Sequence, residues 1–252
     1  MMRRQRESVK KIMLDIHTHF LPKMDDGAKS LEESISMLRD SFSQGVEICV
    51  ATPHCFIHGY ADITDFIDKR NKKYSELKEE LEKDKSQYPA IKLGAEVYLD
   101  NDISKYEDVK SLCIGDSSYM LIELPHHIKS ALLSEWIYNL SLKKIKPIIA
   151  HIERYGNWEE IIRELGDEKI MYQVSASRFL SFAGRRFIRR FYKYNDNFIV
   201  ASDMHNMSSR KCNMREAYEK AFKRYGDSAD DMFRNTAKKI IENEGLVTLK
   251  RG

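Results

Sequence analysis

Short β-rich runs alternate with longer amphipathic runs along the chain, and this alternation constrains the fold more than any other feature. The β-rich runs occupy residues 12–17, 46–52, 91–96, 119–124, 147–151, 171–175 and 198–202. The amphipathic runs occupy residues 30–44, 64–83, 127–143, 157–165, 185–194 and 213–225. Strands that alternate with helices form βαβ units around a parallel sheet. Seven strands in 252 residues predict an α/β fold, a distorted (βα)7-type barrel.

The sequence predicts one domain, from residue 12 to residue 252, because no low-complexity linker and no internal repeat divides it. Ser30-Leu-Glu-Glu33 has the pattern of a capping box at the start of the first helix. Gly45 and Gly166 stand where two helices are expected to end. Residues 1–11 carry five basic side chains against Glu7, and we expect them to form a flexible basic extension.

Composition excludes several classes of function. The net charge is +3, and without residues 1–11 the chain has 37 basic and 38 acidic side chains, which argues against a nucleic-acid partner. No stretch approaches the roughly 18 apolar residues of a membrane helix, so no stable membrane insertion is expected. The four cysteines show no paired CxxC spacing: Cys49, Cys55, Cys113 and Cys212. They are typical of reduced thiols in a cytoplasmic protein.

Histidine and acidic residues stand at the carboxyl ends of the β-rich runs. His17 and His19 close the first run, two residues apart and therefore on one side of a strand. Later runs end at Glu96, Glu123 and His151 or are closely followed by His54, Asp203 and His205. A parallel barrel brings the carboxyl ends of its strands to one face, where active sites lie. We therefore expect these side chains to converge, with Asp26 joining them from the first loop.

This series indicates a metal site. A single histidine or glutamate at a strand end is more often a solvated loop residue than a ligand, but chance does not account for the whole series. Imidazole and carboxylate donors without thiolate suit divalent Mn, Fe or Zn. The donors outnumber the three or four that one ion needs, which predicts a multinuclear site with bridging carboxylates.

The motifs also resemble those of a known family. Residues 15–19, DIHTH, resemble the first motif of the polymerase-and-histidinol-phosphatase (PHP) superfamily. The later motifs DDGAKSLEES, TPH, GAE, LIEL, AHIERY and SDMH are similar, in this order, to those of bacterial tyrosine-protein phosphatases of capsule and exopolysaccharide loci, the CpsB/CapC/YwqE family. The resemblance extends from about residue 13 to residue 245. It implies a PHP-type barrel and a metal-dependent protein-tyrosine phosphatase.

The resemblance further implies a trinuclear centre, usually with Mn²⁺, while Fe and Zn stay compatible with the same donors. The implied ligand sets are His17, His19, Glu96 and Asp203 for one ion, Asp26, His54 and His205 for a second, and Glu96, Glu123 and His151 for a third. Arg154 and Arg210 are implied phosphate contacts, and guanidinium matches phosphate oxygens in pairs. The ligands predict hydrolysis by a metal-activated water without a covalent enzyme intermediate.

The resemblance implies a phosphotyrosine-bearing partner, the tyrosine-rich tail of a bacterial tyrosine autokinase that controls polysaccharide export. Three alternatives stay open: a phosphatase of histidinol phosphate or another small phosphomonoester, a polymerase-associated nuclease, and a catalytically inactive metal-binding regulatory module. The near-neutral body argues against the nuclease, and the full ligand set argues against the inactive module. The sequence leaves the native metal, oligomer formation and the general acid for the leaving group open.

Two further features bear on catalysis and on substrate binding. His54-Cys55 resembles the start of the phosphate loop in cysteine-dependent tyrosine phosphatases, which requires an arginine six residues after the cysteine. Ala61 occupies that position, so we expect Cys55 to be a small buried residue instead. Three tyrosines near the motifs, Tyr60, Tyr98 and Tyr155, are candidates for stacking on a substrate ring.

Overall fold

Nine parallel strands form the centre of the protein, which is described by a computed structural model for residues 13–83, 88–126, 130–166 and 170–242. The predicted basic extension, residues 1–11, lies outside these ranges. The strands are β1 Met13–Thr18, β2 Val46–Ala51, β3 His54–Phe56, β4 Ala90–Leu93, β5 Glu96–Tyr98, β6 Tyr119–Glu123, β7 Lys146–Ile149, β8 Met171–Ser175 and β9 Phe198–Ala201. They are ordered β1-β2-β4 in one sheet and β3-β5-β6-β7-β8-β9 in the other.

The two sheets are parts of one series of seven strand positions. Thr52 and Pro53 separate β2 from β3, and Gly94 and Ala95 separate β4 from β5. Proline has no N–H to donate to a ladder, so pairing is interrupted there. Hydrogen bonds continue across both breaks, from Gly94 N to Ala51 O at 2.8 Å and from Glu96 N to Pro53 O at 3.1 Å. The strand predicted over 91–96 is therefore split, while the number of strand positions agrees with the prediction.

The first and last strands of this series, β1 and β9, come together at their carboxyl ends. Thr18 forms an isolated parallel bridge with Met204, which follows β9. His19 N donates to Met204 O at 2.9 Å, and Asp203 N donates to His17 O at 3.0 Å. The predicted α/β barrel is confirmed, and its distortion lies in the two strand breaks and in this short closing contact.

Six long helices follow the predicted amphipathic runs. They are α1 Leu31–Ser43, α2 Tyr60–Leu81, α3 Ser130–Leu142, α4 Trp158–Leu165, α5 Phe182–Tyr194 and α6 Met214–Tyr225. The Ser30 side chain accepts a hydrogen bond from Glu33 N and caps α1, while Gly166 ends α4 at φ +46°. Short 3-10 turns occupy Ile103–Lys105, Glu107–Leu112, Ile152–Arg154 and Ala176–Phe179. Among the described residues, no helix is both long and apolar enough to cross a bilayer.

A C-terminal helical segment that the sequence patterns did not predict completes the core. It consists of α7 Ser228–Asp230, a π-helical turn Asp231–Asn235 and α8 Thr236–Ile241. Ala237 and Ile240 of α8 are fully buried in an inner cluster. The strands contribute Leu14, Ile16, Val50, Tyr119, Leu121, Ile148, Met171 and Ile199 to this cluster. This segment therefore packs against the inner face of the strands, whereas the six long helices lie outside them.

We expect Ile240→Ala to lower the free energy of unfolding by about 2–5 kcal/mol, because it leaves a cavity in the inner cluster. Ile241→Ala is the matched control, since Ile241 is only partly buried against the same cluster. Chemical denaturation of both variants measures the difference. Equal losses for the two variants would contradict this role for α8.

Candidate metal centre

The nine predicted ligands all lie at the carboxyl-end face of the barrel. His17 is the penultimate residue of β1 and His19 follows the strand, His54 begins β3, Glu96 begins β5, Glu123 ends β6, and His151, Asp203 and His205 follow β7 and β9. Asp26 reaches the group from the β1–α1 loop. Six of the nine are buried, whereas His54 and Glu123 are partly buried and the Asp26 side chain is 60% exposed. The base of the site is thus shielded from solvent, and its entrance, the mouth, is open to solvent.

Three overlapping groups have the geometry of metal sites. In the first, the Nε2 atoms of His17 and His19 lie 3.1 and 3.2 Å from Glu96 Oε2. Asp203 Oδ1 approaches the same two nitrogens at 3.5 and 3.7 Å. This arrangement contains the four residues that the family resemblance implied for one ion.

The second and third groups differ in part from the implied sets. The second joins Asp26, His54 and His205 and also includes His19, whose ring stacks on that of His205 with centroids 3.8 Å apart. Asp26 Oδ1 lies 3.4 Å from His54 Nε2 and 3.2 Å from His205 Nε2. In the third, His54 Nδ1 lies 3.1 Å from Glu96 Oε2 and 3.6 Å from Glu123 Oε2.

His151 is placed beside the third group. Its Nε2 atom lies 2.9 Å from Glu96 Oε1 and 3.5 Å from Glu123 Oε1. Glu123 therefore faces His54 with one oxygen and His151 with the other. Glu96 is divided between the same two imidazoles and also faces His17 and His19. Each carboxylate would thus offer its two oxygens to different donor groups.

The donors fit divalent cations. His54 Nδ1 and His205 Nε2 are buried atoms without a hydrogen-bond partner in the described part of the chain. A buried polar atom without a partner costs free energy, so such atoms are rare unless an ion or water satisfies them. Donor atoms of each group lie within 4.8 Å of one another, which suits ligands about 2.1 Å from a shared ion.

Backbone strain coincides with two of the candidate ligands. His151 has φ +31° and Asp203 has φ +54°, both in the left-handed region that non-glycine residues seldom adopt. Each such residue costs about 1–3 kcal/mol and persists only where the surroundings enforce it. Both follow the end of a strand, where the turn aims the side chain back into the cluster.

A β-bulge in β1 directs His17 into the barrel. Asp15 pairs with Cys49, but the next pairing in register is Thr18 with Ala51, so β1 holds one extra residue there. A bulge bends its strand and re-aims a side chain. His17 Nδ1 thereby reaches Gln173 Oε1 on β8 at 3.1 Å.

Gln173 is a positioning residue that the sequence analysis missed. Its Oε1 atom accepts from His17 Nδ1 and from His151 N, the latter at 2.6 Å. Because an amide oxygen only accepts, His17 keeps a proton on Nδ1, so Nε2 is the atom that would bind an ion. The sequence signal that could have identified it is a glutamine in the middle of the largely apolar strand MYQVS.

Asp25 is the second positioning residue that was missed, overshadowed by its neighbour Asp26. Its Oδ2 atom accepts from His19 Nδ1 at 2.7 Å and from His54 N at 3.0 Å. The following Gly27 lets this loop close on β1, because a Cβ there would lie 2.0 Å from His19 O. Asp25 thus fixes the orientation of His19 and the start of β3 together.

Burial and charge act in opposite directions on the histidines. Burial and the charge of the neighbouring His19 together lower the pKa of His205 to about 3, so the ring is neutral near pH 7. Burial also acts to lower the pKa of His19, but hydrogen bonds to Asp25 and Glu96 outweigh it and raise the pKa to about 10. A metal ion binding at His19 must therefore displace a proton.

Arg154 and Arg210, the two predicted phosphate contacts, both reach the ligand cluster. The Arg154 guanidinium donates to Asp203 Oδ2, and Arg210 Nη2 donates to Asp203 Oδ1 at 2.8 Å. Burial acts to raise the pKa of Asp203, but His17 and Arg154 outweigh it and lower the pKa to about 2. About a third of each arginine side chain is exposed, so both can meet a ligand that enters from solvent.

The remaining candidate residues, one cysteine and three tyrosines, differ in their exposure to solvent. Cys55 is buried, as expected, and burial raises the pKa of its thiol to about 12. Tyr155 is also buried and its hydroxyl accepts from Leu124 N, so the suggestion that it stacks on a substrate is wrong. Tyr98 packs at the mouth against the exposed ring of Phe56, with centroids 5.4 Å apart. Tyr60 is 63% exposed and packs edge-on against Tyr106.

Residues 13–242 match the family described as capsular polysaccharide synthesis, CpsB/CapC. The chain is 34% identical over 246 residues to the tyrosine-protein phosphatase CpsB of Streptococcus pneumoniae, covering 92% of this chain and 99% of that protein. This chain belongs to the CpsB/CapC family. The tyrosine-protein phosphatase YwqE of Bacillus subtilis is 29% identical, with 93% of each chain covered.

Solved structures agree with this membership. The structures of YwqE from Bacillus subtilis and CpsB from Streptococcus pneumoniae, described as metal-dependent tyrosine phosphatases, include a chain that superposes with a TM-score of 0.76. That match has 27% identity and covers 93% of this chain and 96% of the other. The CpsB/CapC fold is therefore present over almost the whole chain, together with a cluster of donors suited to metal.

We expect Asp25→Asn to weaken metal binding about 10–100-fold, because the His19 imidazole loses the carboxylate that orients it. Asp65→Asn, on the exposed face of α2, is the matched control. Isothermal titration of metal-stripped protein with Mn²⁺, and the metal content after dialysis, provide the measurement. Unchanged Mn²⁺ affinity in Asp25→Asn would rule out this positioning role.

Proposed function

We propose that this CpsB/CapC family member is a metal-dependent protein-tyrosine phosphatase. The observation that carries the proposal is the pair Arg154 and Arg210, both held by Asp203 at the rim of a cluster of buried metal-type donors. A cationic rim beside such donors suits a phosphate ester. The relatives named as tyrosine-protein phosphatases in Streptococcus pneumoniae and Bacillus subtilis support the same activity.

The ligand assignment belongs to this proposal. The nine side chains are His17, His19, Asp26, His54, Glu96, Glu123, His151, Asp203 and His205, with Glu96 shared among ions. Their nitrogen and oxygen donors suit Mn²⁺, Fe and Zn, and the family resemblance favours Mn²⁺ in a trinuclear centre. When bound, such ions supply Lewis acidity and lower the pKa of a coordinated water.

The chain's own residues have separable tasks. Arg154 and Arg210 bind phosphoryl oxygens and neutralise the charge that spreads over them during transfer. Asp203 holds both guanidinium groups in position, since it contacts each of them. Gln173 and Asp25 keep the His17 and His19 rings in the orientation needed for binding. The buried floor excludes water from the reacting centre, which strengthens these electrostatic contacts.

Phe56 and Tyr98 provide a surface for the aromatic ring of the substrate. They lie two residues beyond His54 and Glu96 on paired strands, about 6.6 Å farther along. This distance suits a ring joined to the bound phosphate through one ester oxygen. Phe56 is 56% exposed, and a stacked aromatic ring would cover it.

An open mouth favours a protein substrate over a small metabolite. Asp26, Phe56 and both arginines are accessible to solvent, so a phosphotyrosine on a peptide can enter. The proposed partner is the tyrosine-rich tail of a bacterial tyrosine kinase in capsule or exopolysaccharide synthesis, met in the cytoplasm.

Arg154→Ala should lower kcat/KM for a phosphotyrosine peptide by about 100-fold, or near 3 kcal/mol, because a charged donor to the transition state is lost. Cys55→Ser should keep kcat near the wild-type value, since the buried thiol stays protonated and Ala61 replaces the arginine of a cysteine-dependent loop. Steady-state assays on Mn²⁺-loaded protein compare them, with circular dichroism as the folding control. A folded, metal-loaded Cys55→Ser protein without activity would overturn the mechanism.

Phe56→Ala should raise KM for a phosphotyrosine peptide about two- to tenfold, from the loss of about 0.5–1.5 kcal/mol of aromatic contact. Inhibition by inorganic phosphate should stay unchanged, because phosphate does not reach the ring. Tyr138→Ala, a similarly exposed aromatic residue on α3, is the control.

Wild-type protein should also prefer the peptide to histidinol phosphate, and a tenfold preference for histidinol phosphate would assign the site to a small metabolite.

A further inference from the structure

A cationic groove separates α5 from α6 on the outside of the barrel. Its volume is about 970 Å³. Its lining comprises Arg185, Arg189, Tyr192 and Lys193 from α5 and Lys220, Lys223, Arg224 and Tyr225 from α6. Six of these eight side chains are basic and none is acidic. Because residues 12–252 are nearly neutral overall, this groove is a local concentration of positive charge.

The groove charges form two stripes that face each other. Arg185, Arg189 and Lys193 are four residues apart and therefore share one face of α5. They extend over about 12 Å, at 1.5 Å of rise per residue. Lys220 and Arg224 repeat the spacing on α6. A ligand in the groove would therefore meet cations from both sides.

Most of these charges have no acidic partner in the described ranges. Lys220 pairs with Glu216 at 2.7 Å, and Arg185 donates to Leu180 O at 3.0 Å. No described acidic side chain pairs with Arg189, Lys193 or Lys223. Elsewhere on the surface, charges are paired, as in Lys73 with Glu76 at 2.8 Å and Arg190 with Glu159 at 2.8 Å. Like charges held side by side repel, so an uncompensated stripe favours the binding of an anion.

The groove lies on the two helices that follow the face with the metal centre. Helix α5 follows the turn Ala176–Phe179, which continues directly from the carboxyl end of β8. Helix α6 follows the loop that carries Asp203, His205 and Arg210. The first groove cation on α5, Arg185, is three residues from the start of that helix, whereas those on α6 begin at Lys220, six residues from its start. At about 1.5 Å of rise per residue, a chain that leaves the site over this edge would meet cations of both helices after about 9 Å, or about three extended residues.

We propose that the α5–α6 groove is a second binding site for the protein substrate, which receives phosphates or carboxylates flanking the phosphotyrosine in the metal centre. This inference rests on the proposed function. Arginine binds phosphate oxygens in pairs, and lysine adds compact positive charge. An extended peptide covers 12 Å in about four residues. Two linked contacts would raise affinity through effective concentration.

The groove fits a peptide better than an anionic bilayer. A bilayer binds protruding basic residues together with exposed apolar side chains. Two exposed aromatic residues of these helices pack elsewhere: Tyr194 lies edge-on against Trp158, and Phe222 stacks on Tyr218. Phe182, at the start of α5, is 76% exposed but is not among the residues that line the groove. The aromatic residues inside the groove, Tyr192 and Tyr225, pack against each other with ring centroids 5.0 Å apart.

The test uses two peptides with one cleavable phosphotyrosine each. In the first peptide, two flanking tyrosines are replaced by a non-hydrolysable difluoromethylphosphonate analogue of phosphotyrosine, and in the second they are unmodified. Mn²⁺-loaded wild-type protein should show a KM about tenfold lower for the first peptide. Arg189→Glu/Lys223→Glu should abolish that preference, while kcat and the KM for p-nitrophenyl phosphate stay unchanged. Lys72→Glu/Lys78→Glu, with the same charge change on α2, should retain it.

Each outcome decides the proposal. Preserved preference in the groove variant, or equal loss in both variants, would overturn it in favour of general electrostatic attraction. Fluorescence anisotropy with a fully phosphonate-substituted peptide measures binding without turnover. If wild-type protein cleaves no phosphotyrosine, the proposed activity fails, and loss of peptide binding in the groove variant still supports an anion site. Binding to phosphatidylserine vesicles but not to the phosphonate peptide would replace the peptide by a membrane and contradict the proposal.

Discussion

The carboxylate of Glu96 is almost completely buried, and the surrounding structure is arranged to compensate its charge. Four imidazoles lie within 3.2 Å of its oxygens: those of His17, His19, His54 and His151. An isolated buried carboxylate would cost several kcal/mol. Burial acts to raise the pKa of Glu96, yet the charge of His17 and the histidine hydrogen bonds hold it well below the usual range. The imidazoles that compensate this charge would bind divalent cations once they release their protons.

Irregularities of the barrel bring those groups together. The break at Pro53 lets His54 begin a separate strand, and the break at Gly94 does the same for Glu96, so these two residues pair in register. The bulge in β1 turns His17 toward Gln173, and left-handed backbone at His151 and Asp203 turns both side chains inward. A regular barrel would alternate its side chains and direct fewer donors to one point. The distortion of the barrel is therefore a condition of the site.

The sequence predicted much of this arrangement because its signals are local. Periodicity located seven strand positions and six helices, and the strand-end motifs selected nine side chains that do converge. Prediction was poorer where a signal depended on distant partners. Helix α8 is defined by what it covers, namely the inner cluster with Leu14 and Ile199, and its own pattern did not identify it. Asp25 and Gln173 were overlooked because a single acid or amide in a sequence does not reveal which groups it will contact in the folded protein.

The sequence by itself determined the fold class and the chemical type of the site, because strand and helix periods and ligand types are written in neighbouring residues. Only the tertiary structure decided which imidazoles share a carboxylate, which nitrogen of His17 carries the proton, and that His19 belongs to two donor groups. It also brought Arg189 opposite Lys223 in one groove, although residues 12–252 are nearly neutral in charge. These properties depend on distances between residues far apart in the chain, and such distances are fixed only when the ends of the barrel meet.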